Sequence, residues 1–108
     1  MRRPKRSQNR EYVVKIRYYI DAQTGQPHIY HHNINESEVE DVLRNAGEDR
    51  PGAEGSRIAI GQTRAGRYLR VIYVLDSERD EIFAITGYEL TGKLLLAYRR
   101  RRRRKGKK

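Results

Sequence analysis

Near the N-terminus hydrophobic positions recur at every second residue: Tyr12, Val14, Ile16, Tyr18 and Ile20 alternate with Val13, Lys15, Arg17 and Tyr19. That period predicts a strand with one apolar face and one basic-aromatic face. Asp21 to Pro27 is turn chemistry, and a short strand over His28–His32 is expected to return antiparallel. The period then becomes helical. Val39, Val42, Leu43 and Ala46 fall at i, i+3, i+4 and i+7 and form one buried stripe. Asn35 is placed to cap this helix, with Glu38 completing a capping box and Ile34 and Val39 forming a hydrophobic staple. Gly47 marks its end.

Glu48 to Ser56 reads as a polar loop containing Pro51, Gly52 and Gly55. Three strands are expected after it, over Arg57–Thr63, Tyr68–Leu75 and Glu81–Tyr88. The middle one is apolar on nearly both faces and should lie centrally. Thr91 opens a last helix through Leu94, Leu95, Ala97 and Tyr98, expected to fray where arginines four apart repel. The order ββ-α-βββ-α describes an α+β fold in which a small antiparallel sheet is packed by one or two helices.

Composition narrows this picture. A chain of 108 residues with 36% hydrophobic and 35% charged side chains supports one domain with a thin core. Without cysteine, neither a disulfide nor a thiolate zinc site is available. No stretch approaches the ~20 apolar residues of a membrane helix, and no signal peptide is evident, so a cytoplasmic protein without membrane contact is expected.

Charge is unevenly spread. The formal net charge is +10, yet residues 1–10 hold five basic side chains and residues 99–108 hold nine, with no acid in either. Residues 11–98, the expected folded domain, therefore carry an excess of acid. Runs of like charge at both ends read as interaction tails for a polyanion, with salt-dependent and largely sequence-blind affinity.

The candidate chemistry follows from this. His28, His31 and His32 invite a metal reading, but on a strand His31 and His32 point to opposite faces, and His28 and His32 stand roughly 13 Å apart. No metal site or cofactor is expected on that basis. No phosphate-binding glycine loop opens a helix; Gly61 to Gly66 reads as a hairpin turn. Eight of the nine aromatic residues are tyrosine, and Arg57, Arg64, Arg67 and Arg70 lie among the strands beside Tyr68 and Tyr73. Tyrosine stacks on unpaired bases and arginine grips phosphate through a planar fork, so RNA is the expected partner. Arg64, Arg70, Tyr68, Arg99, Arg100, Arg101 and Arg102 are the RNA-binding candidates. A metal-free ribonuclease needs a proton acceptor, a proton donor and cations for the phosphorane, all within the reach of His, Tyr and Arg.

His31-His32-Asn33-Ile34-Asn35-Glu36-Ser37-Glu38-Val39 resembles the basic-His-Gly-apolar segment that opens the helix of BrnT-like toxins. Arg57 to Gly61, followed by Gly66 to Tyr73, is similar to that family's hairpin, and Ile85 to Glu89 before a basic helix is similar to its C-terminal segment. Asn33 stands at the usual glycine, and Tyr88-Glu89 stands where basic residues are common. A poorly characterised toxin-like family resembles the chain comparably. The resemblance implies a RelE-like fold and a type II toxin that cuts mRNA and inhibits translation. It also implies a cognate antitoxin, with promoter DNA bound only through the antitoxin complex. It assigns His32, Arg57, Arg67, Tyr73 and Tyr88 as catalytic candidates. The alternative is a non-catalytic RNA- or ribosome-binding module.

Overall fold

The computed structural model describes residues 15–107, without the side chains of the last three. The basic residues before position 11, the expected strand positions 12–14 and Lys108 lie outside the described residues. The chain forms an α+β fold. Its strands are β1 (Lys15–Tyr18), β2 (Glu48–Pro51), β3 (Arg57–Gln62), β4 (Tyr68–Asp76) and β5 (Glu81–Glu89). Helix α1 (Glu36–Arg44) lies between β1 and β2, and α2 (Gly92–Lys107) follows β5.

The five strands make one sheet in the order β1-β5-β4-β3-β2. It is mixed rather than wholly antiparallel, because β1 runs parallel to β5, with Ile16 opposite Ile82 and Tyr18 opposite Ala84. The expected alternation survives there: Ile16 and Tyr18 pack on the core, while Ile20 lies past the strand and is exposed. Two further differences have physical causes. His28–His32 is a 3-10 helix against β5, with Ile29 alone buried, because the Pro27 carbonyl accepts from Tyr30 and curls the chain. Glu48–Pro51, expected as loop, is an edge strand paired with β3. Its Glu, Asp, Arg and Pro hide the strand from a reading based on apolar alternation, yet such residues suit an exposed sheet edge.

Helix α1 starts as expected but ends at Arg44, so Ala46 of the expected stripe and Gly47, the expected end, lie beyond it. The Glu38 N–H donates to the Asn35 side chain at 2.9 Å, and the Asn35 N–H donates back to Glu38 Oε1 at 3.1 Å. A cap of this kind contributes about 1 kcal/mol. Val39 and Val42 are fully buried against Leu69, Val71 and Ala59, and burying such a side chain contributes about 1.5–3 kcal/mol. A smaller cluster on the opposite face joins Ile60, Leu90 and Tyr98, flanked by Tyr68, Ile58 and Leu95.

The last helix does not fray into the arginine run but continues to Lys107. Arginine is a good helix former, and the run is tied to the domain. Arg101 pairs with Glu48 through both Nε and Nη2, and Arg102 donates to the Gly47 carbonyl at 3.0 Å. The expected division between residues 98 and 99 therefore falls inside one helix.

Candidate nucleic-acid interface

The catalytic candidates fall into two groups. His32 meets Tyr88 edge to face, with ring centroids 4.7 Å apart. Arg67 is close by in sequence terms on both sides: it donates to the Asn33 carbonyl at 2.9 Å and to Glu89 at 3.2 Å. Arg57 and Tyr73 form the second group, opposite one another in the β3–β4 ladder. Six positions along β4 separate Arg67 from Tyr73, roughly 20 Å at strand rise. The two groups therefore do not share one substrate atom.

Each group is also internally satisfied. Arg67 lies between Glu38, at 2.8 Å, and Glu89, so an incoming phosphate has two carboxylates to displace. Arg57 donates from Nε to Asp49 at 2.8 Å, and the Tyr73 hydroxyl donates to the other oxygen of the same carboxylate. Neither Glu38, Glu89 nor Asp49 was legible as a partner in the sequence, because the Arg67 contacts span 29 and 22 residues and the Arg57 contact depends on a register nothing local specifies.

The His32 imidazole is held below its ordinary value, first by burial and then by the neighbouring His28 and His31. It is therefore neutral near pH 7 and able to accept a proton. Tyr73 is pushed up to about 12, by burial first and then by its hydrogen bond to Asp49. The fold holds the neutral phenol, so the associated stability is fully present below the ordinary value of 10.0 and is lost as pH rises through about 12. Thermal unfolding should show a Tm falling across that window. Tyr18 shifts in the same direction, chiefly through burial. Tyr73→Phe should accordingly make the fall shallower without abolishing it, and an unaltered slope would assign the alkaline loss elsewhere.

The RNA-binding candidates are differently placed. Arg64 faces Asp41 across the end of α1 at 3.4 Å. Arg70 is half-buried opposite Tyr88, and its Nε meets no acceptor among the described residues. Arg101 is turned to Glu48, whose carboxyl it holds below the usual range. Tyr68, Arg99 and Arg102 come together with Tyr98 and Arg103 around an open cleft of about 550 Å³ between α2 and the sheet. Asn45 and Gln62 line the same cleft, and the Gln62 amide donates to the Gly66 carbonyl at 3.3 Å. The Arg99 guanidinium lies over the Tyr68 ring, 5.8 Å from its centroid. Tyr68 and Tyr98 meet edge to face at 6.0 Å.

Chemically, this cleft offers the partly exposed Tyr68 ring and a rim of fixed positive charge, while Tyr98 is 5% exposed. Of the residues lining the cleft, the sequence singled out Tyr68, Arg99 and Arg102 as RNA-binding candidates but not Tyr98, Arg103, Asn45 or Gln62. Arg100, Arg103 and Arg104 are exposed and meet no carboxylate among the described residues. No described helix is long and apolar enough to cross a membrane.

The histidines also stand differently from the strand expectation. On a 3-10 helix, residues three apart eclipse one another, so His28 and His31 share a face. Both reach the Asp21 carboxylate, at 3.3 and 2.9 Å. The spacing argument against a metal site therefore loses its premise. No protein-family model matches the chain, and comparison with curated proteins and with solved structures gives no match.

Proposed function

We propose that this chain binds single-stranded RNA, seating a nucleotide in the cleft beneath α2 and holding the flanking phosphates with the arginines of that helix. The observation that carries this reading is the convergence of Tyr68, Tyr98, Arg99, Arg102 and Arg103 on one open cleft. Bases stack on aromatic rings without regard to sequence, and helix-borne arginines supply the phosphate contacts. Because the arginine run is helical and anchored through Glu48 and Gly47, its charges are presented without the ordering cost of a free tail.

Titration of labelled single-stranded RNA across a salt series tests the reading. The logarithm of the binding constant should fall linearly with the logarithm of salt concentration, by about 0.7 for each phosphate neutralised. Single strands should outcompete duplex DNA of equal charge. Binding absent even at low salt, or equal for duplex and single strand, would sink the cleft reading.

A second reading is favoured by the neutral His32 packed on Tyr88. Here the chain is a RelE-like, BrnT-like type II toxin that cuts the mRNA it binds and is neutralised by an antitoxin. His32 accepts the 2′-hydroxyl proton, Tyr88 stacks or donates, and Arg67 exchanges its carboxylates for phosphate. Electrophoresis of the RNA after incubation separates the two readings. Fragments lost in His32→Ala would establish cleavage, whereas intact RNA with retained binding leaves the binding module.

A further inference from the structure

The loop between β1 and the 3-10 helix is closed on itself. The Asp21 N–H donates to the Gln26 carbonyl at 2.9 Å, the His28 N–H donates to the Tyr19 carbonyl at 2.8 Å, and Ile20 bridges Pro27. Closure brings Asp21 back beside the first turn of the 3-10 helix. The Gln23 N–H donates to Asp21 Oδ1, which fixes the carboxylate and leaves Oδ2 facing the two imidazoles. His28 Nδ1 lies 3.3 Å and His31 Nε2 lies 2.9 Å from that oxygen. One ligand atom from each residue falls within 4.8 Å of the others.

We propose that Asp21, His28 and His31 bind a borderline transition-metal dication such as Zn2+, through Asp21 Oδ2, His28 Nδ1 and His31 Nε2. Ligands at tetrahedral corners about 2.0–2.1 Å from zinc are roughly 3.4 Å apart, and the 3.3 and 2.9 Å separations from Asp21 Oδ2 lie close to that. Two imidazoles and a carboxylate suit zinc and its neighbours rather than magnesium or calcium, which take oxygen. Three protein ligands leave the fourth position to water or another exchangeable ligand. The site is accessible: the His31 side chain is 51% exposed and that of His28 is 33% exposed. Its neighbours are His32 and Tyr19, whose rings pack on His28 at 5.3 and 6.0 Å. The ion pins the closed loop to the 3-10 helix and so to the edge of β5. This inference stands independently of RNA binding.

Calorimetric titration of the tag-free full chain with zinc chloride provides the test. One equivalent should bind saturably, and Tm should rise by about 5 °C at saturation. Asp21→Asn and His31→Ala should each weaken binding at least about tenfold. Glu54→Gln, an exposed acid remote from the loop, should bind like the wild type. Failure to saturate, or equal affinity in the Asp21 and His31 variants, would overturn the site. Should His31→Ala not fold, the visible spectrum of the Co2+ form of the wild type decides. Tetrahedral d–d bands uphold the site, and the spectrum of the aqueous ion overturns it.

Discussion

Replacing Arg100, Arg103 and Arg104 together by glutamine should weaken single-stranded RNA binding about 30–100-fold near 0.1 M salt and lower the salt slope by about 2. These three guanidiniums are exposed and have no carboxylate among the described residues, so their removal takes charge from the ligand rather than from the fold. Arg101 and Arg102 are left in place because they tie α2 to Glu48 and Gly47. Glutamine keeps the helix propensity close to that of arginine, and the repulsion between residues 100 and 104 is relieved. Tm should therefore stay level or rise slightly while affinity falls. Unchanged affinity and slope would remove α2 from the interface. A parallel drop in Tm would show that the arginines hold structure instead.

The largest effect on stability is expected from Gly47→Ala. A Cβ at this position would lie 2.0 Å from the Tyr98 hydroxyl and 3.1 Å from its ring carbon, far inside contact distance. The obstacle is a rigid ring that is 5% exposed and packed with Ile60 and Leu90. Accommodation therefore requires α2 to lift from the sheet or Tyr98 to leave its pocket. Either costs about 2–3 kcal/mol, a Tm decrease of about 10 °C or more in a domain of this size. RNA affinity should fall with it, because the displaced helix is one wall of the cleft. Tyr98→Phe removes the nearest atom, so the double variant should recover part of the loss in thermal unfolding. A Gly47→Ala protein with the wild-type Tm would mean that α2 does not rest where the structure places it.

Glycine 47 also shows where sequence reading stops. Along the chain it reads as the residue that ends a helix, but α1 ends three residues earlier, at Arg44, with Asn45 as its C-cap. Its need for no side chain comes from Tyr98, which approaches from the other end of the chain. Asn33 is a similar case. It ends the 3-10 helix at φ 61, in the left-handed region that glycine and asparagine tolerate best, a requirement of the backbone there.

What the sequence determined by itself is local. The Asn35–Glu38 capping box, the Val39 and Val42 stripe, the strands β3 to β5 and the concentration of arginine in the last helix are each set by neighbours within a few residues. Such features follow from period, caps and propensity, whose physics is short-ranged. Tertiary structure decided the rest. The parallel pairing of β1 with β5, the charged edge strand β2, and the 3-10 helix against β5 depend on registers between segments far apart. The same holds for chemistry. Whether Arg67 meets phosphate or Glu38 and Glu89, and whether Asp21 meets two imidazoles, was settled by which side chains the sheet and loop bring together. Residue types state what a group is able to do, and only the packed chain states what it faces.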